Sequence, residues 1–194
     1  MNFSGFRGKR ILVHTNISEL KKQAAGGSVT RELILAELYG RLWHTTHPDR
    51  FKNILTTGAI LPEPDIPDRD RWKTSQGKDF YPFVRTLGGV SLFDFGDFDP
   101  ESYAEQNPMS SWCSFVPYRK DWGLSAWIEI DRELVAPEFI SGTNLVAKWK
   151  SAGAYRHTIM PYIEAAYLGP LPKTAFERAF LVCKEDNQFY PLSW

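Results

Sequence analysis

Apolar residues come in short runs along this chain, and their spacing changes from helical near the start to alternating further on. Ile11 to His14 is a brief apolar run. Asn16, followed three positions later by Glu19, forms a capping-box pattern that predicts a helix over Ile17 to Ala25, ended by Gly26-Gly27. Ser28 caps a second predicted helix with Leu33, Leu35, Leu38 and Tyr39 as its apolar surface and Gly40 as its stop. Leu42 to Thr45 reads as a buried strand. His47-Pro48-Asp49 then opens a helix, with proline pre-set near the first turn. Phe51, Ile54 and Leu55 share one face of it, and Gly58 ends it. Leu61 to Gly77 is a different material, with Pro62, Pro64 and Pro67 set among Asp65, Asp68, Arg69, Asp70 and Arg71. Such long polar loops in compact domains are usually functional or mobile.

From Phe80 the texture becomes β-rich. Val90 to Phe95 and Ala126 to Ile130 read as strands, the second closed by Asp131-Arg132, and Gly96 to Gly123 between them reads as irregular. A later strand spans Tyr162 to Leu168, closed by Gly169-Pro170. Ala179 to Cys183 and Gln188 to Leu192 flank Glu185-Asp186-Asn187 as a terminal hairpin. Helices first and strands afterwards predict an α+β fold, not a doubly wound sheet. Residues 1–40 are expected to be a helical extension packed on a core formed by residues 41–194.

Length and composition narrow the picture. A chain of 194 residues, 43% hydrophobic and 14% aromatic, can bury a core without staples and is not disordered in character. Lys plus Arg and Asp plus Glu both number 23, and this balance argues against a protein that coats nucleic acid by neutralising phosphates. Cys113 and Cys183 read as buried thiols in a reducing compartment. With no signal-peptide pattern and no run of membrane-spanning length, the expectation is a cytoplasmic protein with no membrane partner. His14, His44, His47 and His157 have no metal-ligand spacing, so no metal is expected. A GxGxxG turn, a P-loop and a serine nucleophile elbow are all missing.

The segment from Leu42 to Leu61 carries a strand with His-x-Thr, a short helix, a glycine and an apolar pair. It resembles the opening motif of ADP-ribosyltransferase folds, and especially the DarT family of DNA ADP-ribosyltransferase toxins. Gly89-Val90-Ser91-Leu92-Phe93 resembles the second core strand of that family, and Pro161 to Pro170 resembles the late strand with the catalytic glutamate. The three occur in the family's order and cover about two-thirds of the chain, from Trp43 onward. Two departures stand out. Residue 162 is Tyr, so the Gln/Glu-x-Glu pair of arginine- and base-modifying relatives is absent, and the second strand reads Val-Ser-Leu in place of Ser-Thr-Ser.

The resemblance implies a split β-sheet core with short helices and transfer of ADP-ribose from NAD⁺, a co-substrate, to a macromolecule. A nucleic acid base is a candidate acceptor, an antitoxin protein a candidate partner, and a toxin or phage-defence role follows. It also implies that Glu164 is catalytic, that an early arginine, best matched by Arg85, shares that role, and that His44, Thr45 and Thr46 hold NAD⁺. Ser91 and Phe93 would line the nicotinamide pocket. NAD⁺ hydrolysis, an RNA 2′-phosphotransferase-like reaction and a non-catalytic nucleotide- or partner-binding relative are the alternatives.

The residues themselves bear on these assignments. Breaking the nicotinamide–ribose bond develops positive charge on the ribose, and a fixed carboxylate stabilises charge that the ground state lacks. Glu164 is a single acid among Ile163, Ala165, Ala166 and Tyr167, although an ordinary Glu on a solvated strand face is the bland reading. His44 can bond a ribose hydroxyl or be a satisfied core histidine. Pyrophosphate favours arginine, and Arg85 and Arg156 are the candidates, whereas Arg69 and Arg71 are expected to pair with Asp68 and Asp70. Tyr81 and Phe93 can stack on nicotinamide, or Phe93 can simply fill the core. Trp112, Phe115, Tyr118, Arg119, Lys120 and Trp122 suit a platform for unpaired bases, or a loop folded onto its own apolar patch, which is preferred.

Overall fold

A computed structural model of the protein describes residues 11–12, 31–184 and 188–194. The predicted helix at 17–25, the caps at Asn16 and Ser28 and the turn at 185–187 lie outside those residues. A short strand β1 (Ile11–Leu12) precedes helix α1 (Arg31–Leu38), strand β2 (Leu42–Thr46), helix α2 (Pro48–Thr57) and strand β3 (Ala59–Ile60). A helical turn α3 (Phe83–Thr86), strand β4 (Gly89–Asp94), helix α4 (Pro100–Gln106) and strand β5 (Leu124–Ile130) follow. Then come α5 (Arg132–Val135), β6 (Phe139–Ile140), α6 (Gly142–Ser151), β7 (Glu164–Leu168), β8 (Leu171–Pro172), β9 (Phe176–Cys183) and β10 (Gln188–Ser193).

Eight strands form one sheet in the order β1-β10-β9-β5-β2-β4-β7-β6, and β3 pairs with β8 apart from it. Every pairing in the main sheet is antiparallel except β1 with β10. With helices on both sides, this is the expected α+β class. Alternation along the strands gives the sheet two apolar faces. Leu42, Leu92, Ile128 and Ala165 belong to one core, which takes Phe51 and Ile54 from α2. Trp43, Phe93, Trp127 and Phe180 belong to the other, which takes Ile34 and Leu38 from α1. Both central indoles are completely buried, and each finds a carbonyl for its N–H: Trp43 donates to Leu38 at 2.9 Å and Trp127 to Pro117 at 2.7 Å. Glu129, buried on β5, accepts from Arg41 at 2.6 Å and pairs with Arg178, which also holds Glu37 of α1. The end of the expected extension is thus fastened to the sheet by apolar and ionic contacts.

Local chemistry explains α2. The His47 Nδ1 accepts the Asp49 N–H at 3.2 Å, Pro48 occupies the first turn, and Gly58 closes the helix at φ 74°, donating to Ile54 at 2.9 Å. Elsewhere the structure corrects the expectations. The β texture from Phe80 is first a 3-10 turn at Lys78–Phe80 and then α3, with the strand beginning only at Gly89. The stretch 96–123 contains α4, capped by Asp99, whose side chain accepts the Ser102 N–H at 2.8 Å. Helix α6 was not anticipated, and β7 begins at Glu164 because Tyr162 takes a left-handed φ of 63° in the preceding turn.

Candidate functional site

The site grows from a break in the sheet. Strand β2 pairs with β5 over four residues and β4 with β7 over five, yet β2 and β4 pair only at Leu42 with Asp94 and at Trp43 with Phe93. Beyond Trp43 the two strands part. His44 stands at the fork, where its Nδ1 lies 3.0 Å from the Ser91 carbonyl oxygen of β4. A carbonyl can only accept, so Nδ1 carries the proton and Nε2 is left as the ring's acceptor. Burial lowers the imidazole pKa to about 4, with the Ser91 bond opposing the shift, so the ring is neutral at pH 7.

Glu164 lies on the other side of β4, at the start of β7, level with Phe93. Its side chain is 4% exposed. Ser91 Oγ–H donates to Oε1 at 2.6 Å, and the Met160 N–H donates to Oε2 at 2.9 Å. One residue of β4 therefore holds both candidate groups, Ser91 by its carbonyl for His44 and by its hydroxyl for Glu164. With β4 intervening, the imidazole and the carboxylate come from strands roughly 10 Å apart.

Burial raises the Glu164 pKa, and the bonds from Ser91 and Met160 oppose the rise. Removing the hydroxyl leaves burial less opposed. Ser91→Ala is expected to move the Glu164 titration profile, followed by its carboxyl carbon chemical shift, to higher pH, because the ionised form then appears only at higher pH. A profile superimposable on that of the wild type would exclude this coupling. The folding linkage has the same sign. A carboxyl with a raised folded-state pKa contributes stability below its unfolded pKa and loses that contribution as pH rises through the folded value.

His44 and Glu164 line one cleft of ≈ 550 Å³, within the range of roughly 300–1,000 Å³ usual for small-molecule sites. Thr45, Thr46, Ser91 and Phe93 line it too. The Thr45 hydroxyl oxygen is buried there with no hydrogen-bond partner among the described residues. Phe93 fills the aromatic core, its ring centre 5.7 Å from that of Phe115, and it also lines the cleft.

No known family model matches the chain, and no curated protein matches it. Geometry is therefore the ground on which the other predicted residues are placed.

Arg85 reaches the cleft, but its guanidinium is held by Glu63 at 2.7 Å and Asp68 at 2.9 Å, and lies 3.8 Å from the centre of the Tyr81 ring. Tyr81 is not among the lining residues; its hydroxyl is spent on Asp68. Arg156 faces a second depression, with Lys148, Tyr155 and His157, so the structure separates it from His44 and Glu164. Arg71, expected to pair with a neighbouring aspartate, instead binds Glu63 and lines the cleft, while exposed Arg69 does lie beside Asp70 at 3.9 Å. Trp112 and Phe115 fold into the core as preferred, but Phe115 also lines the cleft with Arg119 and Trp122, and Cys113, between Trp112 and Phe115, is exposed, not buried as expected. Arg50 of α2 joins them and was not anticipated. Arg50 stands four residues before Ile54, on the same side of α2, and a cation on that half-apolar side was the available signal. No local signal brings 119 and 122 to it.

No group of three or more His, Cys, Asp or Glu side chains is arranged to hold a metal among the described residues. No helix among them is long and apolar enough to cross a membrane.

Proposed function

We propose that the protein transfers ADP-ribose from NAD⁺ to a macromolecular acceptor, with a nucleic acid base as the candidate, in the manner of the ADP-ribosyltransferase families that its motifs resemble. The observation that carries this reading is the Glu164 carboxylate, buried and doubly hydrogen-bonded in a cleft shared with a neutral histidine at the fork of two strands. In the reaction the bond from ribose C1′ to the nicotinamide nitrogen breaks, and its electron pair returns to the pyridinium ring. The acceptor then bonds to C1′ and gives up its proton. Ionised Glu164 faces the cationic ribose of the transition state, where fixed charge in a dry site has its greatest effect. Neutral His44 offers an acceptor nitrogen to a ribose hydroxyl. Phe93 supplies an aromatic surface for the nicotinamide.

The test is incubation with NAD⁺ labelled in its adenylate half, in separate mixtures with protein, RNA and single-stranded DNA. The expected result is label fixed to one acceptor together with an equal amount of free nicotinamide. Nicotinamide release with no labelled acceptor would make water the acceptor. Neither product would overturn the reading.

A further inference from the structure

Two arginines meet inside the cleft in a way the reaction at Glu164 does not use. Arg50 comes from α2 and Arg119 from the turn before β5, and their guanidinium carbons lie 5.5 and 4.5 Å from the centre of the same Trp122 ring. Arg119 also lies 5.1 Å from the Trp72 ring and 5.8 Å from Phe115, so aromatic faces enclose it. Its side chain is 13% exposed, and its Nε is buried with no hydrogen-bond partner among the described residues. The carboxylate nearest to it, Asp121, is 70% exposed and accepts from the outer nitrogen at 3.3 Å. Arg50 donates at 2.8 Å to the Asp70 carbonyl, a neutral oxygen. Burial lowers the Arg50 pKa, the Arg119 charge lowers it further, and Asp70 only partly compensates.

Like charges gathered in a partly desolvated cleft are unfavourable unless an anion completes the arrangement. Guanidinium groups bind phosphate oxygens through paired N–H donors, which is why arginine is the usual residue for such sites. The pair is also well removed from Glu164. Trp122 precedes β5, whose first part runs beside the far end of β2, at Ala126 with Thr46, whereas Glu164 is level with Phe93 and so with Trp43. An anion at the arginines would avoid the carboxylate.

We propose that Arg50 and Arg119, set against the Trp122 indole, form a subsite for the diphosphate of a nucleotide. The source of that diphosphate, NAD⁺, rests on the reading above, but binding can be measured without turnover. The same arginines touch the polar loop, Arg50 through Asp70 and Arg119 through Trp72, so the occupied subsite would also tie that loop to the cleft.

Calorimetric titration of the full chain with ADP, inorganic pyrophosphate and adenosine tests this. ADP is expected to bind at least tenfold more tightly than adenosine, pyrophosphate to bind on its own, and added salt to weaken both anions. Arg50→Gln and Arg119→Gln should each weaken ADP by tenfold or more and leave adenosine unchanged. If Arg119→Gln fails to fold, Arg50→Gln decides, since Arg50 lies at the cleft wall, holds a main-chain carbonyl and sits on a helix anchored by Phe51 and Ile54. ADP no tighter than adenosine, or undiminished in a folded Arg50→Gln variant, would overturn the subsite. NAD⁺ cleavage with an unchanged KM in that variant would likewise overturn the subsite while leaving the transferase reading intact. Arginine-dependent ADP binding without NAD⁺ cleavage would uphold the subsite and remove the transferase.

Discussion

Glu164→Gln is expected to lower nicotinamide release from NAD⁺ by on the order of 10²–10³-fold, the usual effect of removing one preorganised electrostatic group from a transition state. The exchange is close to isosteric. The amide oxygen can still accept the Met160 N–H, and the amide nitrogen can donate to the Ser91 hydroxyl, which accepts as readily as it donates. The fold should therefore survive. Because burial raises the wild-type carboxyl pKa, a neutral amide also removes the cost of a buried charge, and thermal stability above that pKa should be held or increased. Single-turnover nicotinamide release and the melting temperature, measured on the same preparation, give the two readouts. A variant that turns over at the wild-type rate would remove Glu164 from the chemistry. A variant that loses activity only by unfolding would make it a structural residue.

Gly142→Ala should have the second-largest effect, and it acts from outside the cleft. A Cβ at Gly142 would stand 2.0 Å from the Tyr162 carbonyl oxygen and 2.5 Å from its carbonyl carbon. Both are backbone atoms, so no side-chain rotation relieves the overlap. Tyr162 sits in the turn that leads into Glu164, and that turn is already closely constrained. The Glu164 N–H donates to Met160 at 2.9 Å, the Ile163 N–H to Pro161 at 2.7 Å, and the Tyr103 hydroxyl to Pro161 at 2.7 Å. Overpacking of this kind costs about 1–3 kcal/mol, a fall in melting temperature of roughly 2–12 °C for a chain of this size. Activity should fall further than stability accounts for, because a displacement of ~1 Å at a reacting group can cost on the order of 10²-fold. Thermal unfolding together with turnover per folded molecule checks this. Unchanged turnover in a destabilised variant would mean that the turn does not set the position of the carboxylate.

Several elements were legible because their signals are local. The His47-Pro48 start and the Gly58 stop of α2 are written in adjacent residues, and the strands of His44, Ser91 and Glu164 are short, mostly buried runs. Helix α4 carried its signal in Asp99-Pro100, an N-cap followed by proline, but the surrounding aromatics and serines obscured it. Helix α6 opens on Gly142-Thr143-Asn144, poor helix formers, and is held by Leu145 packing with Phe83, Val84 and Ala166, contacts between segments far apart in the chain. The cleft's cations were the hardest to read. Nearness in sequence to the strands of interest points to Arg85 and Arg156, yet acidic partners hold the first and the second faces elsewhere. Arg50 and Arg119 come together only because α2 and the approach to β5 converge beside β2.

The parting of β2 from β4 has a bearing on self-association. Unsatisfied main-chain donors and acceptors along a sheet margin invite a neighbouring polypeptide to add itself, and proteins commonly keep their margins short. Among the described residues the two margins are two-residue strands, Ile11–Leu12 at one end and Phe139–Ile140 at the other. The longer unladdered stretch, after Trp43 and before Ser91, opens inward, alongside residues of α2 and the proline-bearing loop. On the reading proposed above, that inward-facing backbone is offered to a small guest in the cleft and not to a neighbouring chain at the rim of the sheet.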